Sequence, residues 1–409
     1  MNILIIAGLL IFLAITLWRR EWGVYLIILL LPSYQIRFSL GVPFTFLEGM
    51  ILTLALRELI YLVRGKKMRS AVQTLFHSPV LTMAVAAFLF AALVSIFTGP
   101  SMIKGAGIFK AYFFEAFLFY AIVILTIDTR EKLSRLIQCL ALLVAYLSTF
   151  GVFQFLTLTN LPPSWWAVNV ASRRITSLLN HPNALALLLG PVLSFLAFVP
   201  KNKWMWVALP LGATAMYLSF SRAAWLAIFV SILIIGLFTE HRKKILLGSL
   251  AVAVLIVVIP YSRQKLLELS LGEDPSRENR LVLWSAAGDI LKESPIFGAG
   301  LTGFREEYKN YPLGPDRVVQ NYPHNFFLNF WLETGLLGFI SVTALLILYY
   351  KKLRIIIRQA EFKNLALGLG AAMAVVVLHG LVDVPYFKND LAVLFWLLLA
   401  LPQLKFLPS

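Results

Sequence analysis

The chain opens with MNILIIAGLLIFLAITLWRRE, residues 1–21, an apolar run closed by a tryptophan and two arginines. An α-helix needs roughly 17 to 25 such residues to cross about 30 Å of hydrocarbon. The charges follow the run, the reverse of a cleaved signal peptide, so a retained first helix is expected. Similar runs recur along nearly all of the 409 residues. With 60% hydrophobic and 14% charged residues and a mean hydropathy of +0.82, the chain has too little polar surface to enclose a soluble domain. The prediction is an all-α, polytopic integral membrane protein, with one transmembrane domain over residues 1–409.

Candidate spans fall near 2–17, 22–38, 44–64, 79–97, 108–127, 136–157, 181–199, 204–220, 222–239, 244–261, 325–350, 364–382 and 390–406, so about 12 to 13 crossings are expected. The formal charge of +16 does not point to nucleic acid, because the lysines and arginines stand in short clusters between apolar runs. Read as topology signals, RR at 19, RGKKMR at 64, REKLSR at 130, KNK at 201, HRKK at 241 and KKLRIIIR at 351 face the cytoplasm. The C-terminus is then cytoplasmic, and residues 158–180, 262–324 and 383–390 lie on the outer side. Cys139 is the only cysteine, so disulfides and cysteine metal clusters are excluded. No glycine-rich phosphate loop occurs, and the inner loops are too short for a nucleotide-binding domain.

The segment 262–324 is longer than a simple connection requires and is expected to be an extracytoplasmic catalytic loop. SRQKLLELSL at 262–271 and SRENRLVLWSAAGDILKES at 276–294 read as amphipathic helices. In the second, Leu281, Trp284, Ala287 and Leu291 mark the apolar face, Arg277 and Arg280 the polar one, and Ser276 the N-cap, with the helix lying on the membrane surface. PIFGAGLTGF then makes a compact turn at Pro295, Gly298, Gly300 and Gly303.

The loop ends in PHN, with His324 just before Asn325, a good N-cap for a helix starting at Phe326. Helix-end backbone groups favour anions there, which suits a polar site, although an isolated interfacial histidine also serves as a solvated anchor. His181 and His379 also stand at the outer ends of spans. Arg222 interrupts LSFSRAAWLAIFV, where a charge costs roughly 2.5 to 3.5 kcal/mol at mid-helix and less at an end. Its sign is wrong for an outer-side topology anchor. With Arg280 and the pair Arg173 and Arg174 it describes an anion pocket, since guanidinium forks bind phosphate oxygens bidentately at any working pH.

RRITSLLNHPNALA, SFSRAAWLA, SRENRLVLWSAAGDILKESPIFGAGLTGF, PHNFFLNFWLETGLLGF and HGLVDVPYF stand in that order over roughly residues 165–390. In this order they resemble the O-antigen ligase and O-antigen polymerase superfamily of bacterial envelope glycosyltransferases. The resemblance implies about twelve spans, one large periplasmic loop, and a site on the outer face of the bacterial inner membrane. It implies an undecaprenyl-diphosphate-linked glycan donor, used without metal, cofactor or nucleotide sugar. The acceptor is lipid A-core for a ligase and a growing glycan for a polymerase. His324 matches the catalytic histidine, and Arg222 and Arg280 the arginines that hold the donor diphosphate; Arg174, Asn325 and Tyr308 are expected to line the site. The histidine would accept the proton of the attacking hydroxyl or position it, in an inverting displacement.

Two other readings stand beside this one. A lipid-linked glycan flippase would also need cations for a diphosphate, but its charges belong near mid-membrane. A cell-wall glycan polymerase would use an outer-loop carboxylate, for which Glu306, Glu307 and Asp316 are candidates. In the first 165 residues, Glu48, Arg57, Glu58, Lys110 and Glu115 interrupt apolar runs, and structural pairing between helices is expected for them.

Overall fold

The computed structural model describes residues 3–166, 173–199, 203–240, 242–243, 245–248, 258, 275–311 and 319–408. Helices account for nearly all of the regular structure, as a polytopic chain requires, because backbone polar groups in hydrocarbon must be satisfied within the segment. Among the described residues, Pro79–Thr98, Met102–Thr126, Arg130–Thr157, Phe326–Ile356 and Ala360–Gly380 are long and apolar enough to cross a membrane. Ile3–Trp18, Pro182–Phe198, Arg222–Gly236 and Asn389–Gln403 are shorter apolar helices. The expected span 244–261 and the expected helix 262–271 lie almost wholly outside the described residues, as does Asp316.

One expected span is corrected. The helix predicted over 22–38 is instead Arg20–Leu29, followed by the short helical turn Leu31–Gln35 and a hairpin pairing Arg37–Ser39 with Pro43–Thr45. Pro32 cannot continue the helix ladder, and Gly41, at φ +83°, makes the hairpin turn. The hairpin leads into Phe46–Arg64 through a reciprocal cap: Thr45 Oγ1 accepts from Glu48 N at 3.2 Å, and Glu48 Oε2 accepts from Thr45 N at 2.8 Å. The expected pairing of buried charges is found. Lys110 sits in a wide π-type turn within Met102–Thr126, 3.0 Å from Glu48 and 3.7 Å from Glu115, while Arg57 lies 2.7 Å from Glu58.

The Pro182–Phe198 helix packs against Lys203–Leu218 and Lys363–Gly380, and Phe326–Ile356 packs against Pro79–Thr98. At one end of this bundle an aromatic cluster fixes the returning chain. Phe330 contacts Phe326, Tyr386 and Phe387 at ring separations of 4.8, 4.9 and 5.0 Å, and the Tyr386 hydroxyl donates to the Tyr112 carbonyl at 2.7 Å. The turn 381–388 is thereby held against the N-terminal end of Phe326–Ile356.

The loop builds its own small core. Pro275–Glu293 buries Leu283, Ala286, Ala287 and Leu291 against Phe304, Tyr308 and Leu332. Leu281, expected on the apolar face, is 52% exposed, and Trp284 is only partly buried. The buried face is the one with which the helix docks on Gly303–Tyr308 and Phe326–Ile356. Ser276 falls within the described helix Pro275–Glu293.

The PIFGAGL turn is inserted into a break in the long helix. Gly335 leaves helical geometry at φ +68°, and the turn supplies the missing partners: Ala299 N donates to the Leu332 carbonyl at 2.7 Å, and Leu336 N donates to the Ile296 carbonyl at 2.8 Å. Buried Glu333 accepts from Thr302 N at 2.6 Å. Gly298, at φ +64°, leaves no room for a side chain, since a Cβ would lie 2.3 Å from the Leu332 carbonyl oxygen. Gly298→Ala is therefore expected to cost about 2 to 4 kcal/mol of stability through backbone strain and overpacking. Thermal unfolding in nanodiscs measures it; an unchanged midpoint would show that the turn is not wedged as described.

Candidate active site

The polar residues that sequence scatters over two hundred positions meet where helix ends converge. The Arg173–His181 segment is held by backbone pairing of Ile175 N with the Leu218 carbonyl at 3.1 Å. Buried Gln154 also clamps it, accepting from Ser177 N at 2.7 Å and donating to the Ser177 carbonyl at 2.8 Å. Arg174 then donates from Nε to the Ser219 carbonyl and from Nη2 to Asn183 Oδ1, both at 2.9 Å, with its guanidinium 5.2 Å from the Trp165 ring. Arg173 turns the other way, toward the Phe155 and Trp166 carbonyls.

Asn183 Nδ2 donates to Asp383 Oδ2 at 3.5 Å, and Asp383 Oδ1 lies 3.1 Å from His324 Nδ1. Ser219, Arg174, Asn183, Asp383 and His324 thus form one hydrogen-bonded chain across four segments. Arg280 joins it by donating from Nε to the Val382 carbonyl at 2.9 Å, next to Asp383. Arg222 is half-buried at the first residue of its helix, three positions after the Ser219 carbonyl that receives Arg174. Of the four arginines of the expected anion pocket, Arg174 and Arg280 are tied by these bonds to the segments that carry Asp383, Arg222 stands near the Ser219 carbonyl in sequence, and Arg173 points elsewhere.

Asn325 caps its helix as expected, accepting from Phe327 N at 3.1 Å and Leu328 N at 3.0 Å. Its Nδ2 donates to the Leu381 carbonyl at 3.0 Å. It ties the 324 and 381–383 segments together through backbone and leaves the imidazole to Asp383. Tyr308 is not in this group; its ring is fully buried under the loop, stacked on Phe304 and Tyr311 at 5.4 and 6.2 Å. Glu306 pairs with Lys309 and Lys104, and Glu307 is exposed.

His324 has φ +49°, in the left-handed region, as do Phe220 and Ser177 at +50° and +53°. Such conformations cost on the order of 1 kcal/mol or more and persist where surrounding contacts impose them, commonly at functional sites. Buried His379 stands beside Asp383 and Arg280 within electrostatic reach; among the described residues neither of its ring nitrogens has a hydrogen-bond partner. Among the described residues no three His, Cys, Asp or Glu side chains converge as a metal ion would need.

Burial works against ionisation of Asp383, but the hydrogen bond and charge of His324, the nearby His379 and the Val384 N–H outweigh it and hold the carboxyl well below its usual range. An ionised Asp383 fixes the proton of His324 on Nδ1 and leaves Nε2 as the acceptor. His181, whose Nδ1 accepts from Asn183 N at 3.1 Å to cap the Pro182–Phe198 helix, keeps an exposed edge but is crowded by its neighbours, and is pushed down to about 4 by that desolvation and by Arg174, against the pull of Asp383. The folded chain therefore keeps His181 neutral between about pH 4 and the ordinary imidazole value near 6.5, while the unfolded chain binds a proton there. Stability is lost as pH falls through that window. His181→Asn keeps a capping acceptor and removes the titration, so its unfolding midpoint should decline less than wild type from pH 6.5 to 4; equal declines would contradict this.

Asp383 and Asn183 are not among the residues that stand out in the sequence. The aspartate lies in the outer turn DVPYFKND, next to the HGLVD element, and the asparagine in NHPN, but only tertiary pairing distinguishes them from ordinary turn and cap residues.

The family described as O-antigen ligase matches residues 207–343, which include Arg222, Arg280, His324 and Asn325. An O-antigen ligase of Salmonella typhimurium is 22% identical over 358 residues, covering 80% of this chain and 82% of that protein. An uncharacterized protein of Haemophilus influenzae is 26% identical over 162 residues, covering 34% of this chain and 41% of that protein. Ordered motifs, helical membrane architecture and these matches point the same way: the chain is similar to the O-antigen ligase family.

Proposed function

We infer that this membrane glycan transferase moves a glycan from an undecaprenyl-diphosphate-linked donor to an acceptor hydroxyl on the periplasmic face of the inner membrane, with lipid A-core as acceptor. The observation that carries this reading is the His324–Asp383 pair, 3.1 Å apart, with Arg174 and Arg280 tied to the segments that carry Asp383. Arg222 and Arg280 hold the donor diphosphate, and Arg174 completes the cationic lining. The acceptor oxygen attacks the anomeric carbon, the bond from that carbon to the phosphate oxygen breaks, and the diphosphate leaves with its electron pair. The hydroxyl proton passes to His324 Nε2, and Asp383 stabilises the imidazolium. Arginines neutralise the negative charge growing on the leaving oxygens. Displacement in line inverts the anomeric configuration. The positive-inside rule, applied to the basic clusters between spans, supports a cytoplasmic C-terminus.

The test uses purified protein in nanodiscs with a synthetic undecaprenyl-diphosphate oligosaccharide and an acceptor panel. Transfer to lipid A-core with inverted linkage is the expected result. Transfer only to another lipid-linked glycan would make the chain a polymerase, and movement of donor across the bilayer without transfer would make it a flippase.

A further inference from the structure

A second polar site lies at the opposite end of the bundle and takes no part in the reaction above. The Asn389–Ala400 helix starts beside the 383–388 turn and carries the chain about 18 Å away, at about 1.5 Å per residue, to the turn Leu401–Gln403 and Lys405. There Arg20, Tyr61, Lys67, Ser70, Asp128 and Lys405 line a cleft of about 170 Å³. They come from the start of the Arg20–Leu29 helix, the end of Phe46–Arg64, the Met68–Leu75 helix and the residue before it, the turn after Thr126 and the C-terminal segment.

The cleft is rich in donors and poor in acceptors. Lys67 Nζ donates to the Tyr61 hydroxyl at 2.7 Å, and the Arg20 and Arg57 guanidinium carbons and Lys67 Nζ surround the Tyr61 ring at 5.2, 5.2 and 4.8 Å. Among the described residues Asp128 is the one carboxylate in the lining, and it is already shared between Lys132 at 2.6 Å and Arg20 at 3.4 Å. Glu58, buried behind the cleft, is 3.5 Å from Arg20 and 2.7 Å from Arg57. Arg20 is thus answered by two carboxylates, whereas Lys67, Lys405 and the Ser70 hydroxyl face the space with no further carboxylate among the described lining residues, which suits a phosphate group.

The surroundings indicate the source of that phosphate. Trp18 and Trp22 flank Arg20 and are exposed, as are Leu59, Ile60 and Val63 around Tyr61. Aromatic side chains beside basic ones mark headgroup depth, and exposed aliphatic side chains on the same helix offer a surface to acyl chains. We propose that this cleft binds the phosphate of an anionic membrane phospholipid, with its acyl chains along Leu59 and Val63. The basic residues at 20 and 67, read from sequence as topology signals, then also form a lipid-specific contact.

The test compares thermal unfolding in phosphatidylcholine nanodiscs with and without phosphatidylglycerol. Phosphatidylglycerol should raise the midpoint of the wild-type protein. The K67Q/K405Q variant, altered only at polar residues near the surface, should lose about half or more of that gain, given the contribution of each basic group to anionic lipid binding. The K351Q/R358Q variant, which removes as much charge from the same end of the bundle, should keep it. An equal gain in K67Q/K405Q, or the same gain from inorganic phosphate in pure phosphatidylcholine discs, would overturn the assignment, the latter in favour of a soluble anion.

Discussion

His324→Ala is expected to lower glycan transfer by about 10²- to 10⁴-fold, the range over which a positioned general base contributes. Donor binding should stay within a few-fold of wild type, because the diphosphate is assigned to the arginines. The imidazole side chain is 31% exposed while Asp383 is 9% exposed, so the ring stands between a buried carboxylate and accessible space, where the proposed acceptor would enter. Its left-handed backbone, at φ +49°, follows Pro323 and precedes the Asn325 cap, and Asp383 holds the ring at Nδ1. Alanine removes the base and, keeping a Cβ, leaves the backbone strain in place. The loss is therefore expected in the transfer rate and not in folding. Single-turnover transfer and donor binding, measured separately in nanodiscs, check both halves.

Asp383→Asn is expected to reduce transfer by about 10²- to 10⁴-fold, a loss comparable to other orienting carboxylates behind a catalytic imidazole. The amide is nearly isosteric but neutral. It no longer stabilises an imidazolium, and its NH₂ group can reverse the tautomer that leaves Nε2 unprotonated. The carboxylate also accepts from Asn183 at 3.5 Å and from Val384 N at 2.9 Å, so the substitution weakens the link to Arg174. Because the carboxyl of Asp383 is held below its usual range, its contribution to stability is present above the unfolded value near 3.9 and lost as pH falls below it. A variant that unfolds normally at pH 7 but fails to transfer would separate this role from a structural one.

Much of the architecture is legible in the amino-acid sequence. Among the described residues, long apolar runs bounded by basic clusters set helix positions to within about two turns from Pro79–Thr98 onward, because a helix crossing a bilayer needs a run of that length. The error at 22–38 has a local cause, since apolar content continues past Leu29 although Pro32 has ended the helix. The buried face of Pro275–Glu293 has a tertiary cause: periodicity reports an apolar stripe but not which neighbour covers it, and the loop core selects Leu283 over Leu281.

The site is legible in part. His324, Arg222, Arg280 and Arg174 stand out because charge and imidazole are costly beside apolar runs. Asp383 does not, since a carboxylate in an outer turn is ordinary until an imidazole is found 3.1 Å away. Asn183 is a helix-start polar residue by sequence and a bridge between Arg174 and Asp383 by structure. Tyr308 shows the converse, as an aromatic in a polar loop suggests a lining residue but the ring completes the loop core.

The central claim is that His324 and Asp383 act on the acceptor hydroxyl as one unit. Single-turnover transfer by wild type, His324→Ala, Asp383→Asn and the double variant, in the same nanodiscs with saturating donor, tests it most directly. Strong non-additivity is expected, with the double variant no slower than the slower single variant by more than a few-fold. Losses that multiply in the double variant would show independent roles and contradict the pairing.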